Sequence, residues 1–184
     1  MKKFLLLVIF AFIIQSCRVL PPQSSKPTKK KDIAEQQILI TTNKGEILIA
    51  IYPEKAGKPA DIFLNLVKNR FYDGMSFFRV LNEDIPYIVQ TGDPAIFTNS
   101  NNIGYNSGNL KTKVVKNRLN HCFGCLALAS DPISNNLSTQ FYILLTESDF
   151  LNGSDTVIGE VRKGIKVVKQ LKKNDYIKYI KIIN

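Results

Sequence analysis

The 184-residue chain has no tryptophan, one histidine, three cysteines and two methionines. A closed zinc site takes four ligands, and a nucleophile–base triad needs a partnered histidine, so this stock is thin for metal or triad chemistry. No G-x-S-x-G elbow, Walker loop, H-E-x-x-H or G-x-G-x-x-G occurs. The longest unbroken apolar run, Phe4 to Ile14, is eleven residues. That falls short of the roughly 20 residues a helix needs to cross a bilayer. What is present is ordinary: 45% hydrophobic and 22% charged residues, as in a soluble domain of one core. Collagen-like, acidic disordered and multi-pass membrane classes are excluded.

Negative charge is also scarce, with 15 acids against 25 Lys plus Arg and a formal charge of +10. Where the excess lies decides its meaning. Lys2 and Lys3 precede the apolar run, which has the form of a secretory signal over residues 1–16. It ends in Ile14-Gln15-Ser16-Cys17, which resembles a bacterial lipobox and marks Cys17 for lipidation. Residues 17–36 then read as a basic, proline-containing linker with the cluster Lys29-Lys30-Lys31. Two charges thus belong to the signal and five to residues 18–31 of the linker, leaving +3 on residues 32–184. A nucleic-acid-binding surface loses its support. The expectation is a monomeric cell-envelope protein, lipid-anchored on the periplasmic face of the inner or outer membrane.

Ile38–Thr42 and Glu46–Tyr52 are rich in β-branched residues and flank Asn43-Lys44-Gly45, predicting a hairpin. Pro59 suits a helix start, and Ile62, Phe63, Leu66 and Val67 give an amphipathic stripe. Further strands are predicted at Ser76–Leu81, Tyr87–Gln90, Cys125–Ala129, Phe141–Leu145, Thr156–Val161 and Tyr179–Ile183, with a second helix carrying Ile165, Val168 and Leu171. Many short strands with two helices suggest a closed antiparallel barrel capped at both ends.

Three features bear on chemistry. His121 reads as a positioned turn or core histidine. Cys122 and Cys125, a C-x-x-C pair before an aliphatic strand, are open to three readings: buried thiols, a local disulfide, or a redox site. Arg79 lies in an apolar strand-like run, with Gln90 and Gln140 in two others. An arginine and two amides form no acid–base pair, but they suit binding of a peptide backbone beside an apolar side chain. Lys111, Lys113, Lys116 and Arg118 make a basic loop, read as a solvated face.

Ordered motifs carry a resemblance to the cyclophilin-type peptidyl-prolyl isomerases. Phe71-Tyr72-Asp73-Gly74 resembles the family's "gYYdG" turn, Phe77-Phe78-Arg79-Val80 its "FHRV", and Gln90-Thr91-Gly92-Asp93-Pro94 its "QgGDP". His121-x-x-Gly124 with Leu126–Ala129, Ser138–Tyr142, Leu151-Asn152-Gly153 and Ile158–Val161 are similar to its later motifs. The resemblance implies an eight-stranded closed antiparallel barrel capped by two helices, and cofactor-free rotation of X-Pro bonds in exported proteins. It implies Arg79 and Gln90 as catalytic residues and Tyr87, Ile88, Tyr142 and Leu151 as the proline pocket. Ala129 and Ser130 would lie along the adjoining groove with Gln140 behind. Phe150 stands where many members have Trp, implying weaker cyclosporin binding. The chain departs from the family at Phe78, at residues 82–86, which lengthen the usual spacing between Arg79 and Gln90, at Tyr87 and Ile88 in place of Phe and Met, at the loop 95–104, at Tyr142 in place of Phe and at Asp155 in place of His. These departures leave a second reading, a catalytically weak or inactive proline-peptide-binding module on the same fold.

Overall fold

The computed structural model describes residues 35–81, 87–98, 108–116 and 119–183. The expected signal peptide, Cys17 and all but the last two residues of the linker lie outside the described residues, as do residues 82–86, 99–104 and Arg118.

The expected hairpin forms. Strands β1 (Gln36–Thr42) and β2 (Glu46–Ile51) pair antiparallel, with Ile38 opposite Ile49 and Ile40 opposite Ile47. Alternation sends these four isoleucines and Ile51 inward, where none is exposed. The Thr42 hydroxyl oxygen accepts from the Lys44 and Gly45 amides, closing the turn. Helix α1 (Pro53–Ala56) is a single turn, and α2 (Lys58–Lys68) is the long helix, with Pro59 in its first turn. The buried stripe of α2 is Ala60, Phe63, Leu64 and Val67, with Ile62 and Leu66 only half-buried. The stripe is thus rotated from the sequence expectation.

The remaining strands are β3 (Arg79–Leu81), β4 (Ile88–Thr91), β5 (Asn109–Lys113), β6 (Cys125–Ser130), β7 (Asn136–Leu144), β8 (Thr156–Lys163) and β9 (Ile177–Ile182), with α3 (Ile165–Gln170) between the last two. Eight strands follow one antiparallel path, β3-β4-β7-β6-β8-β2-β1-β9, and β5 pairs with β7 beside it. The sheet curls, but among the described residues β3 and β9 do not pair, so the closed barrel is corrected to an open, curled sheet. The two ends meet through the segments ahead of those strands. Phe77 donates to the Asp175 carbonyl at 2.8 Å, Ile177 to Met75 at 2.9 Å and Asn174 to Phe77 at 3.0 Å. The two-helix expectation is also corrected: α3 has six residues, and the four-residue α1 joins α2.

The core lies within the curl. Phe63 of α2 meets Phe141 of β7 edge-on at 5.4 Å, and Tyr72 meets Phe141 at 5.1 Å. Edge-to-face aromatic contacts of this kind add to the burial of large apolar area. Tyr72 is fully buried and donates its hydroxyl to the Thr139 carbonyl at 2.9 Å, which ties this aromatic cluster to β7.

Candidate active site

Period-two alternation gives the site strands two apolar faces. Leu126 and Leu128 of β6, Phe141 and Ile143 of β7 and Val89 of β4 belong to the main core. Their neighbours in sequence, Ala127, Ala129, Tyr142, Leu144 and Ile88, form a second, smaller cluster joined by Cys125 and Val157, with Tyr87, Leu119, Cys122 and Leu151 packed on it. The pocket residues anticipated from the sequence fall in this second cluster.

Strand register sets the polar residues beside it in a row. Arg79 of β3 is opposite Gln90 of β4, Gln90 is opposite Tyr142 of β7, and Tyr142 is opposite Ala127 of β6. Arg79 is exposed, and its Nη1 donates to Gln90 Oε1 at 3.4 Å. Gln90 is buried and donates its Nε2 to Gln140 Oε1 at 2.8 Å. Gln140, one side-chain repeat along β7 from Tyr142, donates in turn to Asp93 Oδ2 at 2.9 Å. The row therefore presents one cation at its solvent end and buried amides behind it.

A second carboxylate braces the other side. The Tyr142 hydroxyl donates to Asp155 Oδ2 at 2.8 Å. The Ser130 amide donates to Asp155 Oδ1 at 2.8 Å, and the Ser130 hydroxyl lies 2.7 Å from the Ser154 carbonyl. Burial, then the negative charge of Asp155 and the hydrogen bond to it, push the Tyr142 phenol well above its usual range, with the Arg79 charge acting in the opposite sense. Tyr142 is thus held as a neutral donor turned toward Asp155.

His121 is buried, as expected of a positioned histidine, with its ring stacked 6.3 Å from that of Tyr142. Its backbone amide donates to Asn152 Oδ1 at 3.0 Å, and its Nδ1 is 2.9 Å from the same oxygen. Of the three readings of the C-x-x-C pair, the structure has the disulfide Cys122–Cys125, at the start of β6. Phe150 is 73% exposed and stacks on Tyr87 at 6.1 Å, forming an outer aromatic wall. A recess of about 570 Å³ beside α2 and β9, lined by Val67, Arg70 and Tyr179 among others, shares no residue with the row. Among the described residues no cluster of three or more His, Cys, Asp or Glu could hold a metal ion.

All ten anticipated site residues are placed. Arg79, Gln90, Gln140, Tyr142, Ile88 and Ala129 come together on or beside the row, Ser130 joins through Asp155, and Tyr87, Phe150 and Leu151 stand at its edge. Sequence reasoning passed over Asp93, which lies inside a motif it quoted, and noted Asp155 only as a departure.

Residues 37–183 match the family model of cyclophilin type peptidyl-prolyl cis-trans isomerase/CLD. A peptidyl-prolyl cis-trans isomerase of Schizosaccharomyces pombe is 32% identical over 133 residues, covering 72% of this chain and 82% of that protein. One from Helicobacter pylori is 26% identical over 168 residues, covering 84% and 96%. A Cryptosporidium parvum cyclophilin type isomerase superposes with a TM-score of 0.68 at 22% identity, covering 82% of this chain and 98% of that one. The same protein was also crystallised in the presence of the dipeptide Ala-Pro, and that structure gives a TM-score of 0.67.

Proposed function

The chain belongs to the cyclophilin-type peptidyl-prolyl cis-trans isomerases, and from that premise we propose that the row from Arg79 to Tyr142 is the site at which it turns X-Pro bonds. The reaction breaks no bond. Its barrier, about 18–20 kcal/mol, is the loss of amide resonance when the C–N bond is twisted. Any group that favours the twisted amide over both planar forms accelerates the exchange. Arg79 is the group suited to that task. Its guanidinium is always charged, and an N–H aimed at the prolyl nitrogen stabilises the lone pair that appears there as conjugation is lost. Gln90 holds the guanidinium and binds substrate backbone.

The apolar part of the site takes the proline ring against Ile88, Tyr142 and Leu151, with Tyr87 at the edge. Ala129 and Ser130 line the path of the preceding residues, with Gln140 behind them. The observation that carries this reading is the register itself, which places one exposed arginine beside a separate apolar cluster on the outer face of the curl. Crystallisation of the Cryptosporidium parvum relative with Ala-Pro supports proline-containing peptides as the ligand class. The signal-like residues 1–16, the lipobox-like Cys17 and the basic linker support a lipid-anchored enzyme that works on exported proteins in the cell envelope.

The test is prolyl isomerisation by the purified full chain, read against an uncatalysed exchange of tens to hundreds of seconds. Arg79→Ala should lower kcat/KM by about 100-fold, the range found when one preorganised donor is removed, while a proline peptide still binds. Binding by the native chain with no rate above background would replace the enzyme with the binding module. Mass spectrometry of the protein from a bacterial host reads the anchor directly, as a diacylglyceryl adduct on Cys17; an unmodified Cys17 removes it.

A further inference from the structure

A carboxamide has nearly the same shape at both ends, so packing alone does not decide whether Gln90 turns its oxygen or its NH2 toward Arg79. The difference is large for the site. An oxygen accepts from the guanidinium and orients it; an NH2 sets a donor against a donor. Gln90 passes the choice to Gln140, since an amide that donates to its neighbour must meet an oxygen there. Gln140 passes it to Asp93. A carboxylate only accepts, so Gln140 must give Asp93 its NH2 and offer Gln90 its oxygen. Gln90 must then give its NH2 to Gln140 and offer its oxygen to Arg79. The three distances follow this order, 2.9 Å at Asp93, 2.8 Å between the amides and 3.4 Å at Arg79.

Asp93 is built to hold that end of the chain. It is fully buried, its Oδ1 accepts from the Ala95 amide at 2.9 Å, and Pro94 restricts its backbone. Gly92 before it adopts φ +92°, where a Cβ would stand 2.6 Å from the Thr139 carbonyl and 3.0 Å from the Gln140 Cα. The loop from β4 is thereby pressed against β7, at the residue Asp93 must reach.

We propose that Asp93 is a positioning residue for isomerisation. Through Gln140 it fixes the polarity of the Gln90 amide and so the orientation of the Arg79 guanidinium. The proposal rests on the reading of Arg79 and Gln90 as the catalytic pair. It makes an unusual demand on the variants. In Asp93→Asn the Ala95 amide still claims the oxygen, so an NH2 faces Gln140 and the relay reverses through Gln90 to Arg79. In the double variant Asp93→Asn/Gln140→Glu, the new amide at position 93 donates to a carboxylate at position 140. That carboxylate also accepts from Gln90, which again offers its oxygen to Arg79.

The experiment measures kcat and KM for the full chain and four variants, Arg79→Ala, Gln90→Ala, Asp93→Asn and the double, with thermal unfolding of each. Asp93→Asn should lose about tenfold in kcat with a smaller rise in KM, because the apolar pocket is untouched and only the Gln90 contact with substrate backbone changes. The double variant should return to within about threefold of the native rate. Full activity of Asp93→Asn beside an impaired Arg79→Ala overturns the role of Asp93 while leaving the site intact. A double variant no better than the single one overturns it as well. Full activity of Arg79→Ala and Gln90→Ala overturns the underlying site reading. If Asp93→Asn does not fold, 15N-edited NMR of the native chain decides. Contacts from the Gln90 NH2 to Gln140 support the assignment, and contacts from that NH2 to the Arg79 guanidinium protons overturn it.

Discussion

The hydroxyl of Tyr142 and the carboxylate of Asp155 are 2.8 Å apart, and the other oxygen of that carboxylate holds the Ser130 amide. The pair fixes an aromatic ring and the groove beside it with one acid. Removing the donor and removing the acceptor therefore have unequal costs. Tyr142→Phe leaves one carboxylate oxygen short of a partner and should destabilise by about 1 kcal/mol, with isomerase activity within a few-fold of native. Asp155→Ala strands the Tyr142 hydroxyl and the Ser130 amide together and should cost about 2–6 kcal/mol at 1–3 kcal/mol per buried unpaired group. Urea midpoints at constant m-value separate the two; equal shifts would contradict the shared-acceptor geometry.

Gly92 permits the contact of two strands that a side chain would push apart. With φ +92° and a Cβ position 2.6 Å from the Thr139 carbonyl, Gly92→Ala meets both backbone strain and a backbone clash. It should destabilise by at least about 2 kcal/mol, a fall of roughly 4–8 °C in Tm for a domain of this size. Differential scanning calorimetry checks it, and an unchanged Tm would count against the close approach.

Asp175 links stability to pH. Burial raises its pKa, but the Asn43 side chain, the Lys172 amide and the Lys44 charge outweigh it and hold the carboxyl below the usual aspartate range. A depressed folded-state pKa adds stability above the ordinary aspartate value, about 4, and that stability is lost as the pH falls through the folded value. The native chain should therefore weaken more steeply than Asp175→Asn between about pH 5 and pH 2. Denaturant midpoints across that range provide the comparison, and parallel pH profiles would refute it.

The disulfide Cys122–Cys125 closes a very short loop at the head of β6. Chain-entropy arguments give about 2 kcal/mol for a loop of this length. Cys122→Ser/Cys125→Ser should lose close to that amount in denaturant unfolding and keep its isomerase rate. Loss of activity in a folded double variant would restore the redox reading.

The parts of the molecule legible in the sequence are those whose signal is local. The β1–β2 hairpin was legible because Ile38, Ile40, Ile47 and Ile49 alternate about a turn sequence, and all four face the core. The α2 stripe was misphased because Ile62 and Leu66 carry the same spacing as Phe63 and Val67, and only packing on the sheet chooses between them. Strand β5, Asn109–Lys113, has no apolar alternation and exists because β7 offers it a partner. Arg79 and Gln90 stood out as polar residues in apolar runs. Asp93 did not, because its partner Gln140 lies 47 residues further along the chain. Closure failed as an expectation for a related reason. The described ends are joined by a single antiparallel bridge, Ser76 with Tyr176, in place of a β3–β9 ladder.

That bridge makes the molecule uneven in how it breathes. The Phe77–Asp175, Ile177–Met75 and Asn174–Phe77 bonds are the short join between the two ends of the sheet, with no ladder beyond them. Opening there has a lower free energy than global unfolding, and the amides of Phe77, Asn174 and Ile177 should exchange with solvent ahead of those in β6 and β7. Arg79 begins the strand next to this seam and is held on its other side by the ladder to Gln90, which pairs in turn with Tyr142. The arginine of the proposed site thus stands on an edge strand, beside a closure made by one bridge where its other neighbour, β4, is held by a ladder.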